Sequence, residues 1–425
     1  MKLAPQTAES SLVLGNQDFR QELYESAIVH YHKALEENPH LSGAITLNIR
    51  LAKRRYLLKR QNDERKSVVV CGWDLAHNAA GRAHTLACIY QSFCKVKIVG
   101  TIFPKSGSDI WYPIRDSAVE IKFAVLNDDE QDYEKIRQIV INNPCDILHL
   151  SKPRITNILF GILYKEIWGA TVLIDTDDEE LSFVGAKKHL KLEDYFKKHS
   201  KAPPLKGFSG VDWTRIAVSF IHHFDGVTVA NEALQARYGG TIIRHAREHT
   251  GNTPTTQKRR QSREQLGIDA GKKIVLFFGT ARRHKGLLEI ARSIAMLGRE
   301  DLMFLVVGDF PDASFLAELK AIKNCEFKFI GMQKVVDIPL VVSCADICIL
   351  HQAEDSEIAR FQTPAKLSDA LAQGVPVLAN DFPAMEMLFA VGAATAIHGT
   401  LSDSLNRLLK YLPPCPRRQP LKRSR

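Results

Sequence analysis

Two kinds of hydrophobic spacing divide the chain. Over residues 1–62, Ala27, Tyr31, Ala34 and Pro39 recur at intervals of 4, 3 and 5, with Tyr24 three before Ala27 and Leu14 and Gly15 upstream. Small residues at such positions let two helices touch, and the proline closes the second. A further helix is expected over 41–58. From Ser67 the pattern changes to short apolar runs, bounded by Gly, Asp or Asn, that alternate with helix-length segments. Runs of this kind read as buried parallel strands joined by helical crossovers. The expected strands are 68–71, 96–100, 121–125, 147–150, 171–175 and 226–230. Segment 183–210 breaks the rhythm and reads as a loop-rich insertion. After a polar linker at 250–263 a second series begins. Its strands are expected at 274–278, 303–307, 327–330, 347–350, 377–379 and 393–397, and its helices at 286–297, 313–322, 338–343 and 365–373. The class is α/β, with two parallel-sheet halves and a cleft between them. Ligands in open α/β sheets sit at the carboxyl ends of the strands.

Composition adds limits. The 425 residues fit two or three domains at roughly 100 to 200 residues each. A hydrophobic share of 45% and a charged share of 25% are those of a globular chain with sizeable cores. The formal charge is +9, and five of those charges lie in the last ten residues, at Arg417, Arg418, Lys422, Arg423 and Arg425. Basic segments also occur at 53–66 and 258–263. Such surfaces attract nucleic acid, anionic lipid or phosphorylated ligands. No aromatics interleave the tail and no nucleic-acid-binding motif occurs, so nucleic acid is not an expected partner. The tail at 413–425 reads as solvated, and peripheral membrane contact stays open. Eight cysteines are scattered without a CxxC pair, which fits a reducing compartment; Cys344 and Cys348 read as small buried residues. No signal-peptide core follows the first methionine, and no run has the length of a membrane span, so a cytoplasmic protein is expected.

Two segments carry the clearest chemistry. In FFGTARRHKG, residues 277–286, an apolar strand ends at Gly279 and a helix opens near Gly286, with Arg282, Arg283 and Lys285 in the loop. A strand-end glycine exposes backbone, a helix N-terminus favours an anion, and cations there would neutralise a diphosphate. In QTPAKLSDALAQGVPVLAND, residues 362–381, Thr363 or Gln362 reads as an N-cap and Pro364 as the first helical residue. Lys366 follows, Asp369 lies one turn after Ala365, and Gly374 ends the helix.

In that order GTARRHKG, FLVVGD, DICILH and TPAKLSDALAQGVPVLA resemble the C-terminal domain of glycosyltransferases with the GT-B fold, in the groups known as families 4 and 1. The resemblance is strong over about 125 residues and weaker over 68–249. It implies two Rossmann-like domains, a first at 67–250 facing the acceptor and a second at 264–412 holding a nucleotide-diphosphate sugar; the helical segment at 1–62 separately resembles, by its own spacing, one tetratricopeptide repeat. It implies that Lys285 and either Arg282 or Arg283 contact the donor diphosphate, and that Thr363, Lys366 and Asp369 fix the nucleotide. Beyond that donor substrate it implies neither a cofactor nor a metal. The family's first glutamate is replaced here by Phe361, with Glu354 and Glu357 out of register.

Further segments take their meaning from the same resemblance. GWDLAHNAAGRAHTLACIY, 72–90, puts Asp74, His77 and Asn78 in a strand-end loop; Gly81 and Arg82 are assigned to the donor side, and His77 to the acceptor side. A plain strand–helix turn would use the glycine for geometry alone. CDILHLSKPR, 145–154, resembles a D-x-x-H-x-H string with Ser151 in the second histidine position. His149 is there a catalytic candidate or a core histidine, and Lys152 and Arg154 face an acceptor. In LIDTDDEE, 173–180, clustered aspartates suit a metal site, a general base or a cap; Asp178 is taken as base and Asp177 as acceptor-side. His245 and Arg247 are candidates for the cleft. Little follows Leu412 except PPCPRRQPLKRSR, so the terminal helix that crosses back in such enzymes is expected to be missing, and the domains to couple loosely. The expected function is sugar transfer from a nucleotide-diphosphate sugar to a glycan, lipid-linked saccharide or protein. The alternatives are an inactive sugar-nucleotide scaffold whose helical segment binds a protein partner, and a GT-B sugar-nucleotide epimerase or hydrolase.

Overall fold

Gly15 sets the contact between the first two helices, α1 (Pro5–Arg20) and α2 (Tyr24–Glu37). A Cβ there would stand 2.6 Å from the Tyr31 ring, so glycine admits the buried tyrosine. The Tyr31 hydroxyl donates to Asn16 Oδ1 at 2.9 Å. A 3-10 turn at Pro39–Leu41 leads into α3 (Ser42–Gln61). These coordinates are a computed structural model, which describes residues 5–61, 65–201, 208–247, 256–353 and 357–412. The expected basic tail at 413–425, Cys415 and Glu354 lie outside the described residues.

α3 is fastened to the sheet domain that follows. Arg60 Nε donates to Asp146 Oδ1 at 3.0 Å. Tyr56 lies against Trp168, with ring centroids 5.5 Å apart. Lys53 Nζ donates to the Lys165 carbonyl at 3.0 Å. That carbonyl belongs to the last turn of α6 (Ile155–Trp168), where a cation is favoured by the helix dipole.

The first sheet contains β1 (Ser67–Gly72), β2 (Lys95–Ile102), β3 (Glu120–Val125), β4 (Ile147–Leu150), β5 (Thr171–Thr176), β6 (Gly226–Val229) and β7 (Thr241–Ile242), in the order β3-β2-β1-β4-β5-β6-β7. The second contains β8 (Lys273–Phe278), β9 (Leu302–Val307), β10 (Glu326–Ile330), β11 (Ile347–Leu350), β12 (Val377–Ala379) and β13 (Thr395–Ala396), in the order β10-β9-β8-β11-β12-β13. The ladders are parallel: Val70 pairs Ile98 on one side and His149 on the other, and Leu276 pairs Leu305 and Cys348. The intervening helices are α4 (Ala80–Gln91), α5 (Asp132–Asn142), α6, α7 (Leu192–Phe196), α8 (Val211–Ser219) and α9 (Glu232–Tyr238), then α10 (Thr256–Gln265), α11 (Leu287–Met296), α12 (Ala313–Lys320), α13 (Ile338–Ser343), α14 (Glu357–Phe361), α15 (Lys366–Ala372), α16 (Glu386–Ala390) and α17 (Leu401–Tyr411).

Strands β8 and β9 are buried along their whole lengths. Alternate residues of β8 serve opposite faces: Ile274, Leu276 and Phe278 join one core, and Val275 and Phe277 the other. Burying such a side chain contributes about 1.5–3 kcal/mol. Both faces are therefore helix-covered, as an all-parallel sheet requires. The second core is closed by α17, which the sequence reading did not separate out: Leu401, Leu405 and Leu409 point inward, and Thr400 caps the helix by accepting from the Asp403 N–H at 3.1 Å.

The polar linker expected at 250–263 is corrected. Its second half is α10, and two of its basic residues, Arg259 and Arg263, are tied to the fold. Arg263 is buried; its Nη2 donates to Asp346 Oδ2 at 2.7 Å and its Nε to the Cys344 carbonyl at 3.0 Å. Arg259 Nη2 adds a 2.5 Å contact to Asp346 Oδ1, and the Ile274 N–H donates to Oδ2 at 2.6 Å. Helix formers such as Gln, Lys, Arg and Glu fill this stretch, and one carboxylate ties it to the start of β8.

Two compact units result. The first is Met1–Trp111, Ser117–Thr176 and Phe183–Thr228; the second is Tyr112–Asp116, Asp177–Ser182 and Val229–Arg425. Residues 229–247, expected with the first sheet, group with the second unit. Within it Asn231 Nδ2 donates to the Phe361 carbonyl at 2.8 Å, and Ser368 Oγ to the His245 carbonyl at 2.5 Å. No helix among the described residues is long and apolar enough to cross a membrane.

Replacing Asp346 by alanine should strand the buried Arg263 and cost about 3–5 kcal/mol, read as a lower urea midpoint for the second unit. A loss below about 1 kcal/mol, the value of an exposed pair, would show that this carboxylate does not anchor α10.

Candidate functional site

In the second sheet β8 is flanked by β9 and β11, so the crossovers leave it in opposite directions and the strand-end loops part there. The loop after β8 runs from Gly279, with φ +105°, to Gly286, with φ +64°. The positive φ favours glycine at both positions, and at Gly286 space requires it as well. A Cβ on Gly279 would lie 2.8 Å from Lys366 Cε, and one on Gly286 would lie 2.3 Å from the His351 ring. Lys366 therefore lies over the end of β8, its ammonium 3.9 Å from the centre of the Phe277 ring, a cation–π contact. Lys285 Nζ donates to the Thr280 carbonyl at 2.8 Å.

Neither lysine makes an ion pair among the described residues, and each keeps part of its surface open. Burial, helped by the Arg282 charge, pushes Lys285 down to about 8. Burial, helped by Lys285, pushes Lys366 well below the usual lysine value. The carboxylate one turn along, Asp369, is engaged by Arg247, whose Nε lies 2.5 Å from Oδ1. Burial raises the Asp369 carboxyl in spite of that partner. Two poorly solvated ammonium groups without a counter-charge are costly to keep, and an arriving anion offsets that cost. The first N–H groups of α11, which opens directly after Gly286, are further donors.

The two arginines of the loop differ. Arg283 Nη1 donates to Glu318 Oε2 at 2.6 Å, Nε lies 3.3 Å from Asp312 Oδ2, and the guanidinium lies 5.0 Å from the centre of the Phe315 ring. It is spent on α12. Arg282 is exposed and stands ahead of the turn that carries Lys285. Arg282, Lys285 and Lys366 thus form the cationic group, and Arg283 does not join it.

The expected capping at 362–364 is corrected. α15 begins at Lys366 with no side-chain cap. Thr363 Oγ1 donates to the Ala384 carbonyl at 3.0 Å and accepts from Asn231 Nδ2 at 3.2 Å. Gln362 Nε2 donates to Asp178 Oδ1 at 2.7 Å. Phe361 carries the Arg237 guanidinium 5.3 Å from its ring centre, and Glu357 is exposed. Asp177, Asp178 and Glu180 each bring a ligand atom within 4.8 Å of the others, a set that could hold a hard cation. Between them Glu179 is buried and accepts from the Tyr238 hydroxyl at 2.8 Å, with Arg237 Nε 2.5 Å away.

In the first unit the candidates separate. Arg82 is buried and makes two 2.8 Å bonds to Asp175. Burial works to raise the Asp175 carboxyl, but Arg82 holds it below the usual carboxylate range. Thr228 Oγ1 donates to Asp175 Oδ1 at 2.6 Å and lies 2.9 Å from His149 Nε2, while His149 Nδ1 lies 3.1 Å from the Tyr90 hydroxyl. With Thr228 donating to Asp175, Nε2 carries the His149 proton and Nδ1 accepts from Tyr90. Burial pushes His149 down to about 4. It is a neutral histidine bonded inside the core, which favours the core reading given for it above. The Arg82 guanidinium, expected on the donor side, is engaged by Asp175 in this structure. Gly81 has no positive φ, and a Cβ there would make an ordinary 3.6 Å contact with Trp111. Lys152 is buried, and so is Arg154, which lies 4.8 Å from the Trp73 ring centre. His77 is about one-third exposed, with Nε2 3.2 Å from Asp74 Oδ2 and Nδ1 accepting from the Ala79 N–H at 3.1 Å.

Comparison with known proteins decides the fold. Residues 258–413 match the family model described as Glycosyl transferases group 1. HepE from Anabaena, solved with UDP and glucose, superposes with a TM-score of 0.57 at 15% identity, covering 82% of this chain and 90% of that one. A glycosyltransferase from Rickettsia africae gives 0.54 at 14%, covering 81% and 88%. Sucrose-phosphate synthase from Thermosynechococcus elongatus gives 0.53 at 14%, covering 82% and 90%. This chain has the GT-B fold. The family match lies over the C-terminal region and supports sugar transfer as the general class of function. No curated protein sequence matches the chain.

Within this GT-B frame, two residues that hold the second unit's loops were not singled out by sequence. His351 ends the DICILH run and packs on Gly286; its place at the carboxyl end of the strand beside β8 was the available signal. Asn231 caps α9 through Oδ1, which accepts from the Leu234 N–H at 3.0 Å, and holds the 361–363 loop through Nδ2. Asparagine after FDGVTVA signals a cap, but its second use is tertiary.

The lysine burial has a pH consequence. Lys285 titrates near 8 when folded and near 10.5 when unfolded, so between those values the unfolded state binds more protons and stability rises with pH. Lys285→Met should remove that rise. Urea midpoints of the parent and variant, measured from pH 7 to pH 10.5, should diverge in favour of the parent above about pH 8; parallel curves would contradict the shifted lysine.

Proposed function

We propose that this GT-B chain transfers a sugar from a nucleotide-diphosphate sugar to a glycan, a lipid-linked saccharide or a protein. The observation that carries this reading is the group Arg282, Lys285 and Lys366 at the carboxyl end of β8, which has no carboxylate partner among the described residues and fits a diphosphate. The match to group 1 glycosyl transferases over 258–413 supports it. HepE was solved with UDP and glucose, and UDP-sugars are therefore the first donors to try. On this reading residues 264–412 are the donor domain and 67–250 the acceptor domain.

The diphosphate gains charge as the sugar bond breaks. Lys285, Lys366 and Arg282 stabilise that charge, with the first amides of α11 beside them, and no metal is needed for it. Asp369, oriented by Arg247, takes the ribose hydroxyls. Thr363, fixed by Asn231, shapes the nucleotide side of the loop. Asp178, held by Gln362, is the proposed base for the acceptor hydroxyl, with Asp177 beside it, and His77 is the proposed acceptor contact of the first unit. Phe361, where an acid is expected, favours one second reading: a scaffold that binds the sugar nucleotide without turning it over.

A melting-temperature screen against UDP-, GDP-, ADP- and dTDP-sugars in EDTA tests the donor site, since a ligand bound only to the folded state raises apparent stability. At least one nucleotide sugar should raise the transition, and Lys285→Ala should weaken binding about ten- to a hundredfold, the worth of a charged hydrogen bond. No shift with any donor, or a shift that Lys285→Ala leaves intact, sinks the assignment. A shift without sugar transfer to any acceptor selects the scaffold.

A further inference from the structure

The outward side of α3 takes no part in the site above. The helix carries six basic residues and no acid. Three of the six are committed: Arg60 to Asp146, Lys53 to the Lys165 carbonyl, and Lys59 Nζ to the Glu22 carbonyl at 3.2 Å. Arg50, Arg54 and Arg55 are exposed and make no hydrogen bond or ion pair among the described residues. Leu47, Leu51 and Leu58 stand between them at 66%, 47% and 48% exposure. Positions 47, 50, 51, 54, 58 and 61 follow one another at helical intervals, so leucine and arginine share a single stripe. A groove of about 370 Å3 opens beside it, lined by Arg50, Lys53, Arg54, Leu57, Leu58 and Gln61.

We propose that this stripe docks on an anionic phospholipid surface, with the arginines on lipid phosphates and the leucines in the acyl boundary. Charge complementarity selects the partner. Three unpaired guanidinium groups with no acid on the helix repel a basic surface and gain little from a neutral one. Each presents a planar fork that matches phosphate oxygens. The groove, walled by long basic side chains over Leu57 and Leu58, suits a phosphodiester headgroup with the start of its chains. Arginine stems can lie along apolar surface while their heads stay at the phosphates. The inner side of α3 is already fixed by Arg60–Asp146 and by Tyr56 against Trp168. The stripe is therefore presented preformed, without the ordering cost that a free peptide would meet.

The test is sedimentation of the full chain with vesicles of phosphatidylglycerol and phosphatidylcholine, against phosphatidylcholine alone. The protein should partition onto the anionic vesicles, and less so as salt rises. Arg50→Glu with Arg54→Glu, and separately Leu47→Ser with Leu51→Ser and Leu58→Ser, should each weaken partitioning by about tenfold or more, with the circular dichroism spectrum and melting transition kept. Should charge reversal perturb folding, Arg50→Gln with Arg54→Gln makes the same test. Equal binding to both vesicle types, no binding to either, or binding that ignores both sets of substitutions overturns the proposal. So does a concentration-dependent dimer that the leucine changes abolish in the absence of vesicle binding, which would give the stripe to a second copy of the chain.

Discussion

The second unit is organised around two lysine ammonium groups kept in a place that does not favour them. Lys366 lies over the end of β8 because Gly279 has no side chain and Phe277 offers its ring face. Lys285 is brought near by a turn that needs Gly286 in the left-handed region, which in turn leaves room for His351. Asp369, one turn along α15, is held by Arg247. A fold that only sought stability would pair these charges or make the residues apolar. Keeping them here, at the switch point of a parallel sheet, is the observation on which the proposed diphosphate site rests.

The first unit uses its charges in the opposite way. Arg82, Asp175, Thr228, His149 and Tyr90 close a chain of hydrogen bonds inside the core. Every donor needs its acceptor there, because a partly satisfied buried network costs more than an apolar one. Its effect is to fix the carboxyl ends of β4 and β5 and the start of α4. The contrast explains why residue types that looked alike in the sequence part company: Arg82 and His149 are bonded inside a core, whereas Arg282 is exposed and Lys285 half-buried, neither in an ion pair among the described residues.

Strand positions and the glycines at 279 and 286 were legible because continuous apolar runs and strand-end glycines are local signals. The choice between Arg282 and Arg283 was not, since it depends on Asp312 and Glu318 in α12. The cap at Thr363 failed for a similar reason: its hydroxyl is taken by the Ala384 carbonyl, a contact 21 residues away. α10 was read as linker because its polar composition gives no apolar stripe, yet Arg263 and Arg259 dock it on a single carboxylate. The placement of Asp177–Ser182 with the second unit is likewise a tertiary outcome that spacing along the chain does not contain.

The central claim is that Lys285 and Lys366 await a diphosphate. The most direct measurement is NMR of the protein with 13C-dimethylated lysines, titrated with pH with and without UDP, the Lys285 signal being assigned by its loss in Lys285→Arg. The account predicts a Lys285 titration near 8 that moves upward on adding UDP, since an opposite charge nearby favours the ammonium. A Lys285 signal that titrates like an exposed lysine and ignores UDP would contradict it.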